Sequence, residues 1–304
     1  MIFASVDIGS NAARLLFANV FEVEEKVFVE KATLVRIPTR LGEDVYTNGK
    51  ISDKKADNLI RTLKAFKLLI DVYNPKAFDV CATAAMREAK NGEKLMEKIR
   101  DKVGFDVRLI DGIEEANIIR RTNKIGFEQP HDLSMYIDVG GGSTDVSVIL
   151  GDEILDVKSF KIGTLRLIKN KVKEKEWERL NDFLKKHRDN YGKINVIGSG
   201  GNINKINKLF GDTVSFTLTT GQLTDAFYYL KDFTLLERME KLGLRPDRAD
   251  VIVPAAEIFL YILNIIEVKK ILVPKIGLAD GLVYQLYENY KKDKIEEDIK
   301  DDNE

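Results

Sequence analysis

The sequence predicts an α/β protein in which one unit, a mixed sheet flanked by helices, is built twice around a central cleft. Three observations carry that reading. The stretch Tyr136–Ile149 is an apolar strand, an acid at Asp138, glycines at 140, 141 and 142, hydroxyls at Ser143 and Thr144, and a second apolar strand. The stretch Ile2–Val20 has the same design: a strand reaching Asp7, a small turn at Gly9, Ser10 and Asn11, and a strand returning. After each hairpin come a third strand and then helices alternating with further strands. Glycine tips let main-chain N–H groups line a concavity that holds an anion. Taken alone, such a tip also reads as a tight turn with no ligand.

In chain order, strands are expected at 2–8, 13–21 and 26–37, followed by a polar loop from Arg40 to Gly49. Ser52 caps a helix reaching Tyr73, whose Ala56, Leu59, Ile60, Leu63, Phe66 and Ile70 share one face, and Asn74-Pro75 ends it. A strand at 77–82, a helix at 92–102, a strand at 106–110 and a helix from Asp111 to about Lys124 complete the first unit, 1–126. Gly126 to Leu133, with Pro130, marks the boundary. The second unit, 127–290, has strands at 133–139, 144–150 and 153–160, helices between 164 and 188, and a strand at 194–198 leading into Gly198, Ser199, Gly200 and Gly201. A helical insertion spans 220–267, kinked or broken at Pro254. A strand at 270–273 and a helix from Leu278 to Tyr290 follow. The charged stretch 291–304 reads as a solvated, fraying end.

A chain of 304 residues is long enough for two cores, and 44% hydrophobic with 32% charged residues is ordinary for a globular protein. A formal net charge of −1 excludes a globally basic nucleic-acid binder while leaving room for a local basic cleft. The single cysteine, Cys81, cannot form an internal disulfide and reads as a buried thiol. His131 and His187 are too few for a histidine-rich metal site and are expected at the surface. No basic leader and no apolar run of spanning length is visible, which predicts a cytoplasmic protein without a membrane partner. Apolar residues within 249–267 serve either a homodimer face or the core.

The motifs together resemble a known family. Val6-Asp-Ile-Gly-Ser-Asn11 with Arg14 and Leu15, Arg40-Leu-Gly42, Thr83-Ala-Ala-Met-Arg87 with Asn91 and Gly92, Gly112-Ile-Glu-Glu-Ala116, Ile137-Asp-Val-Gly-Gly-Gly-Ser-Thr144 and Gly198-Ser-Gly-Gly-Asn202 occur in the order found in exopolyphosphatases and guanosine pentaphosphate phosphohydrolases. That family falls within the superfamily of actin, sugar kinases and heat-shock-chaperone ATPases, so the resemblance implies two ribonuclease-H-like domains. Three departures stand out: Asp145 where relatives carry Glu, Asp111 where they carry Ser, and the lack of the extra C-terminal helical domain of longer members.

The resemblance also implies roles. Glu115 is the general base, with Glu114 a helix-end charge; without the resemblance both would read as acids favoured by the macrodipole. Gly9, Ser10, Asn11, Gly140, Gly141, Gly142, Ser143 and Thr144 cradle phosphate. Arg87 clamps it with a planar fork or else pairs with Glu88, and Arg14 and Arg40 are lesser candidates. Asp7, Asp138 and Asp145 hold magnesium, an ion that takes oxygen ligands and keeps part of its water. The expected reaction is release of the terminal phosphate from polyphosphate or guanosine pentaphosphate. Two alternatives stay open: a kinase or ATPase with adenosine at Gly198, Ser199, Gly200 and Gly201, and a non-catalytic sensor of a phosphorylated ligand.

Overall fold

Apolar residues at alternate positions, interrupted by one short polar turn, pair as an antiparallel hairpin of β1 (Ile2–Ile8) and β2 (Ala13–Val23). The computed structural model describes residues 1–24, 26–122, 133–151 and 153–301. β3 (Lys26–Ile37) pairs with the outer edge of β2. Next come α1 (Leu41–Asn48), α2 (Asp53–Tyr73), β4 (Phe78–Ala82), α3 (Ala84–Glu88), α4 (Gly92–Val103), β5 (Arg108–Leu109) and α5 (Gly112–Arg120). The first sheet has the order β3-β2-β1-β4-β5, with β4 parallel to β1 and β5 parallel to β4. α2 starts and stops where its caps dictate. The Ser52 hydroxyl accepts from the Lys55 N–H, and Asn74, in the left-handed region, donates its N–H to the Ile70 carbonyl.

The second unit repeats the plan with β6 (Leu133–Val139), β7 (Thr144–Leu150), β8 (Glu153–Phe160), α6 (Thr164–Ile168), α7 (Glu174–Tyr191), β9 (Asn195–Ser199) and α8 (Gly201–Phe210). β10 (Thr217–Thr219), α9 (Thr220–Asp232), α10 (Leu235–Leu242), α11 (Pro246–Ala249), α12 (Ile252–Ile266) and β11 (Lys270–Leu272) complete it, and α13 (Leu278–Asp301) ends the chain. This sheet runs β10-β11-β9-β6-β7-β8. Both sheets are mixed and flanked by helices, and the two hairpin turns meet in one cleft.

Several expectations are corrected. The loop at 40–49 is α1, because Leu41, Val45 and Tyr46 form a buried face that the polar composition hides. Residues 220–267 are four helices; Thr219 with Gln222 and Thr234 with Glu237 form capping boxes that restart the chain, and Pro254 sits in the first turn of α12, where no N–H is missed. Residues 246–266 are long and apolar enough to cross a membrane, contrary to expectation, as a buried core helix also is, and the chain breaks there into α11 and α12. Ile258, Phe259, Ile262 and Leu263 of α12 are fully buried in the second core. His187 is buried rather than exposed: it packs on Phe183 and Tyr191 with Nε2 3.1 Å from Asp156 Oδ2. The expected boundary at 126–133, as far as residue 132, together with the helix end at Lys124 and His131, lies outside the described residues.

The largest difference is α13. Residues 278–290, assigned by chain order to the second unit, pack on the first sheet. β1 and β2 present Ala4, Val6, Ile8, Leu15 and Phe17 to one face, covered by α2, and Phe3, Leu16, Ala18 and Val20 to the other. Ala279, Val283 and Tyr287 cover that second face, and the Ser5 hydroxyl donates to the Ala279 carbonyl at 2.8 Å. The helix continues past 290 with Lys291–Glu296 exposed, and Lys291 donates to Glu22 at 2.5 Å. Cys81 is buried beside Ile118 and Leu282, where burial pushes its thiol up.

Candidate active site

Register places the acids. Ile8 pairs with Ala13 and Val139 with Thr144, so each hairpin closes through a four-residue turn held by one bond: Gly9 N–H to Ala12 O at 3.1 Å, Gly140 N–H to Ser143 O at 2.9 Å. One rung back from each turn stand Asp7 opposite Arg14 and Asp138 opposite Asp145. The two copies therefore differ in charge. Asp7 ion-pairs with Arg14, whereas the matching rung of the second hairpin carries two carboxylates.

Glu115 completes the cluster from the first turn of α5, whose N-terminus is capped by Asp111: its carboxylate accepts from the Glu114 N–H at 2.8 Å. Asp111 thus caps a helix and lies outside the cleft lining. Glu114 pairs with Arg108. α5 comes close to β7 and β8 because residue 112 is glycine; a Cβ there would stand 2.7 Å from Asp145 Oδ1 and 2.9 Å from Ser159 Cβ.

Burial, then Asp145, Asp138 and Asp7 in turn, push the Glu115 carboxyl well above its ordinary value, with Arg87 opposing. Burial and Asp145 push Asp138 up to about 6 against a hydrogen bond from Ser199. Burial likewise raises Asp145, whose Oδ2 accepts from Ser143 at 3.0 Å. Asp145 Oδ1 is buried near the Ser159 hydroxyl without a well-formed hydrogen bond.

The remaining expected residues divide. Ser10, Asn11, Gly141, Gly142 and Ser143 line the cleft, and their N–H groups have no backbone acceptor among the described residues. Gly9 and Gly140 line it too, but their N–H groups close the turns. Thr144 is buried and donates its hydroxyl to Ile162 O at 2.7 Å, so it serves the fold. Arg87 donates to Ile110 O at 2.6 Å, behind the acids; Glu88, its supposed partner, pairs with Arg166. Arg40 is held by Glu43 and Asp250, outside the cleft lining. Gly200 and Gly201 line the cleft, while Gly198 packs on Ile271 and Ser199 bonds Asp138 behind it.

Among the described residues no three His, Cys, Asp or Glu side chains converge on one point, so Asp7, Asp138 and Asp145 do not form a ready three-carboxylate site. Asp7 is turned to Arg14. The Asp138–Asp145 rung, with no cation ion-paired to it among the described residues and one oxygen poorly satisfied, fits an ion that takes one or two carboxylates and completes its shell with phosphate oxygens and water.

The cleft also holds residues outside the expected set. Lys31, Arg36, Lys205, Lys208, Arg245, Arg248 and Lys275 join Arg14 in its lining. Lys205, Lys208, Arg245 and Arg248 have no carboxylate partner among the described residues. Burial first, then Arg36 and Arg14, lower Arg248 to about 10; burial, Lys208 and Arg248 lower Lys205. Lys205 and Lys208 stand three residues apart on the helix opened by Gly198-Ser-Gly-Gly201, a spacing that was available in the sequence. Arg36 pairs with buried Asp247, whose carbonyl accepts from Asn11 at 3.1 Å, and this joins the two lobes.

The pattern of the Ppx/GppA phosphatase family matches residues 25–290. The chain belongs to that family. Among Ppx/GppA relatives, an exopolyphosphatase 1 of Mycobacterium tuberculosis is 24% identical over 301 residues, covering 91% of this chain and 86% of that protein. A bifunctional 3-dehydroquinate synthase/phosphatase of Fusobacterium nucleatum is 26% identical over 290 residues; these are 86% of this chain and 43% of that protein, so the chain spans less than half of it. The crystal structure of the Aquifex aeolicus Ppx/GppA member superposes with a TM-score of 0.74 at 27% identity, covering 95% of this chain and 98% of that one. An exopolyphosphatase from Cytophaga hutchinsonii, at 23% identity and TM-score 0.82 over 95% and 98% of the chains, shares the fold.

Proposed function

We propose that this Ppx/GppA protein hydrolyses a phosphoanhydride, releasing the terminal phosphate of inorganic polyphosphate or of guanosine pentaphosphate with Glu115 as general base. The observation that carries the reading is the position of Glu115. It lines the same cleft as the Asp138–Asp145 rung and both turns, and it feels the charges of Asp145, Asp138 and Asp7. It shares the cleft with five turn N–H groups that have no backbone acceptor, and four cations that have no carboxylate partner, among the described residues.

The N–H groups of Ser10 and Asn11 on one side, and of Gly141, Gly142 and Ser143 on the other, would bind the equatorial oxygens of the terminal phosphoryl group. Glu115 would take a proton from the attacking water; a carboxylate raised above its ordinary value is a stronger base than an ordinary one. Asp138 and Asp145 would hold a divalent cation, which supplies positive charge against the phosphoryl oxygens. Lys205, Lys208, Arg245 and Arg248 offer a track for the rest of a polyanion.

The test is phosphate release from tripolyphosphate, longer polyphosphates, guanosine pentaphosphate and ATP, each with and without magnesium. Glu115→Gln is expected to lower kcat at least a hundredfold, in the range of lost general-base catalysis. Equal release by parent and variant would refute the assignment.

A further inference from the structure

Tyr46 lies behind both phosphate turns and belongs to none of the motifs above. α1 carries it inward on the face that also holds Leu41 and Val45. Its hydroxyl is 2.7 Å from Ser10 Oγ of the first turn. The same hydroxyl lies over Gly142 of the second turn, where a Cβ would stand 1.8 Å from it. The ring is fixed independently. The Arg166 guanidinium sits 3.9 Å from its centroid, and Arg166 is itself held by the Gly142 carbonyl at 2.6 Å and by Glu88. Removing the hydroxyl therefore leaves the ring and its packing in place.

Two hydroxyls at 2.7 Å share two hydrogens, and which one donates decides what the cleft sees. Burial pushes the Tyr46 phenol up to about 12, so it keeps its proton at neutral pH. Among the described residues, Ser10 Oγ is its one hydrogen-bond partner. A phenol is a stronger acid than an alcohol and is the better donor of the two. When Tyr46 donates, the Ser10 hydrogen must point away from it, and Ser10 lines the cleft. The opposite arrangement would show an anion the serine lone pairs.

We propose that Tyr46 is a positioning residue, donating its hydroxyl hydrogen to Ser10 Oγ and thereby aiming the Ser10 hydroxyl hydrogen at an oxygen of the substrate phosphate. The inference rests on the phosphohydrolase reading for the identity of the ligand, and it adds a contact made by a side chain where that reading uses main-chain N–H groups. It also accounts for the place of α1, which brings one phenol to the point where both turns touch.

The experiment is a calorimetric titration with tripolyphosphate and magnesium, carried out in a Glu115→Gln background so that nothing turns over. Four proteins are compared: that background alone, and with Tyr46→Phe, Ser10→Ala, or both. Tyr46→Phe is expected to melt within a few degrees of its parent and to bind roughly five- to tenfold more weakly, the loss of one aligned hydrogen bond. Ser10→Ala should weaken binding by at least as much, and adding Tyr46→Phe to it should change nothing further. Unchanged binding in either single variant, an equal additional loss in the double variant, or no binding by any of the four would overturn the proposal. Phosphate release by the chain with Glu115 intact is measured alongside. Binding with the expected pattern but no release would refute the hydrolase reading alone, and release with an additive pattern would refute the role of Tyr46 alone.

Discussion

Replacing Asp145 with asparagine should make the metal-free protein more stable at pH 8 while making it a poorer enzyme. Asp145 faces Asp138 across one rung of the hairpin and is, after burial, the first cause of the raised Asp138 and Glu115 carboxyls. Asp138 moves from 3.8 to about 6, which at about 1.4 kcal/mol per unit is roughly 3 kcal/mol of unfavourable charging. Burial is the larger part, so removing the Asp145 charge should recover about 1 kcal/mol, a rise of about 1–2 °C in Tm for a chain of 304 residues. The sign follows from the direction of the shift. A carboxyl raised in the folded state does no harm below its unfolded value, near 3.8 for Asp138, and costs its full amount above about 6. The gain should therefore appear between pH 4 and 6, be complete at pH 8, and be absent at pH 3.5. Thermal unfolding in EDTA at pH 3.5, 5 and 8 measures it, and phosphate release with magnesium measures the loss of function. A variant destabilised at pH 8, or stabilised equally at pH 3.5 and 8, would refute the idea that the rung is held together against its own repulsion.

Two further outcomes follow from the geometry. Gly142→Ala should lower both Tm and phosphate release, because its Cβ would stand 1.8 Å from the Tyr46 hydroxyl and 3.2 Å from Ser10 Oγ; a variant with parental melting and turnover would contradict the close contact of the two turns. The double substitution Lys205→Ala, Lys208→Ala should raise KM for long polyphosphate by roughly tenfold while changing that for tripolyphosphate much less, and should flatten the dependence of KM on salt; equal effects on both substrates would remove the track for the chain.

The site was legible in the sequence where local pattern and chemistry coincide. An acid before a small glycine turn, twice, with apolar strands on either side, places Asp7 and Asp138 at the mouths of two hairpins whatever the rest of the chain does. Alternation with period two then puts Arg14 and Asp145 opposite them, so the rungs were implicit in the residue count. The capped start at Asp111 likewise gives Glu115 its place in the first turn of a helix.

What no local pattern reports is which surfaces meet. Arg36 and Arg248 join the cleft, and Tyr46 comes up behind its turns, only because β3, α11 and α1 come from different parts of the chain to the same place, and each looks like an ordinary surface residue along its own segment. Arg87 and Arg40 show the reverse, drawn to Ile110, Glu43 and Asp250 by neighbours that are remote in sequence or set by a turn. α13 is the clearest case. Its apolar residues require some cover, but the first sheet has a bare face formed by Phe3, Leu16, Ala18 and Val20, and only the folded arrangement brings that face within reach of residue 278. Periodicity states that a surface must be buried; tertiary packing alone selects the surface that buries it, because apolar contact carries no address of its own.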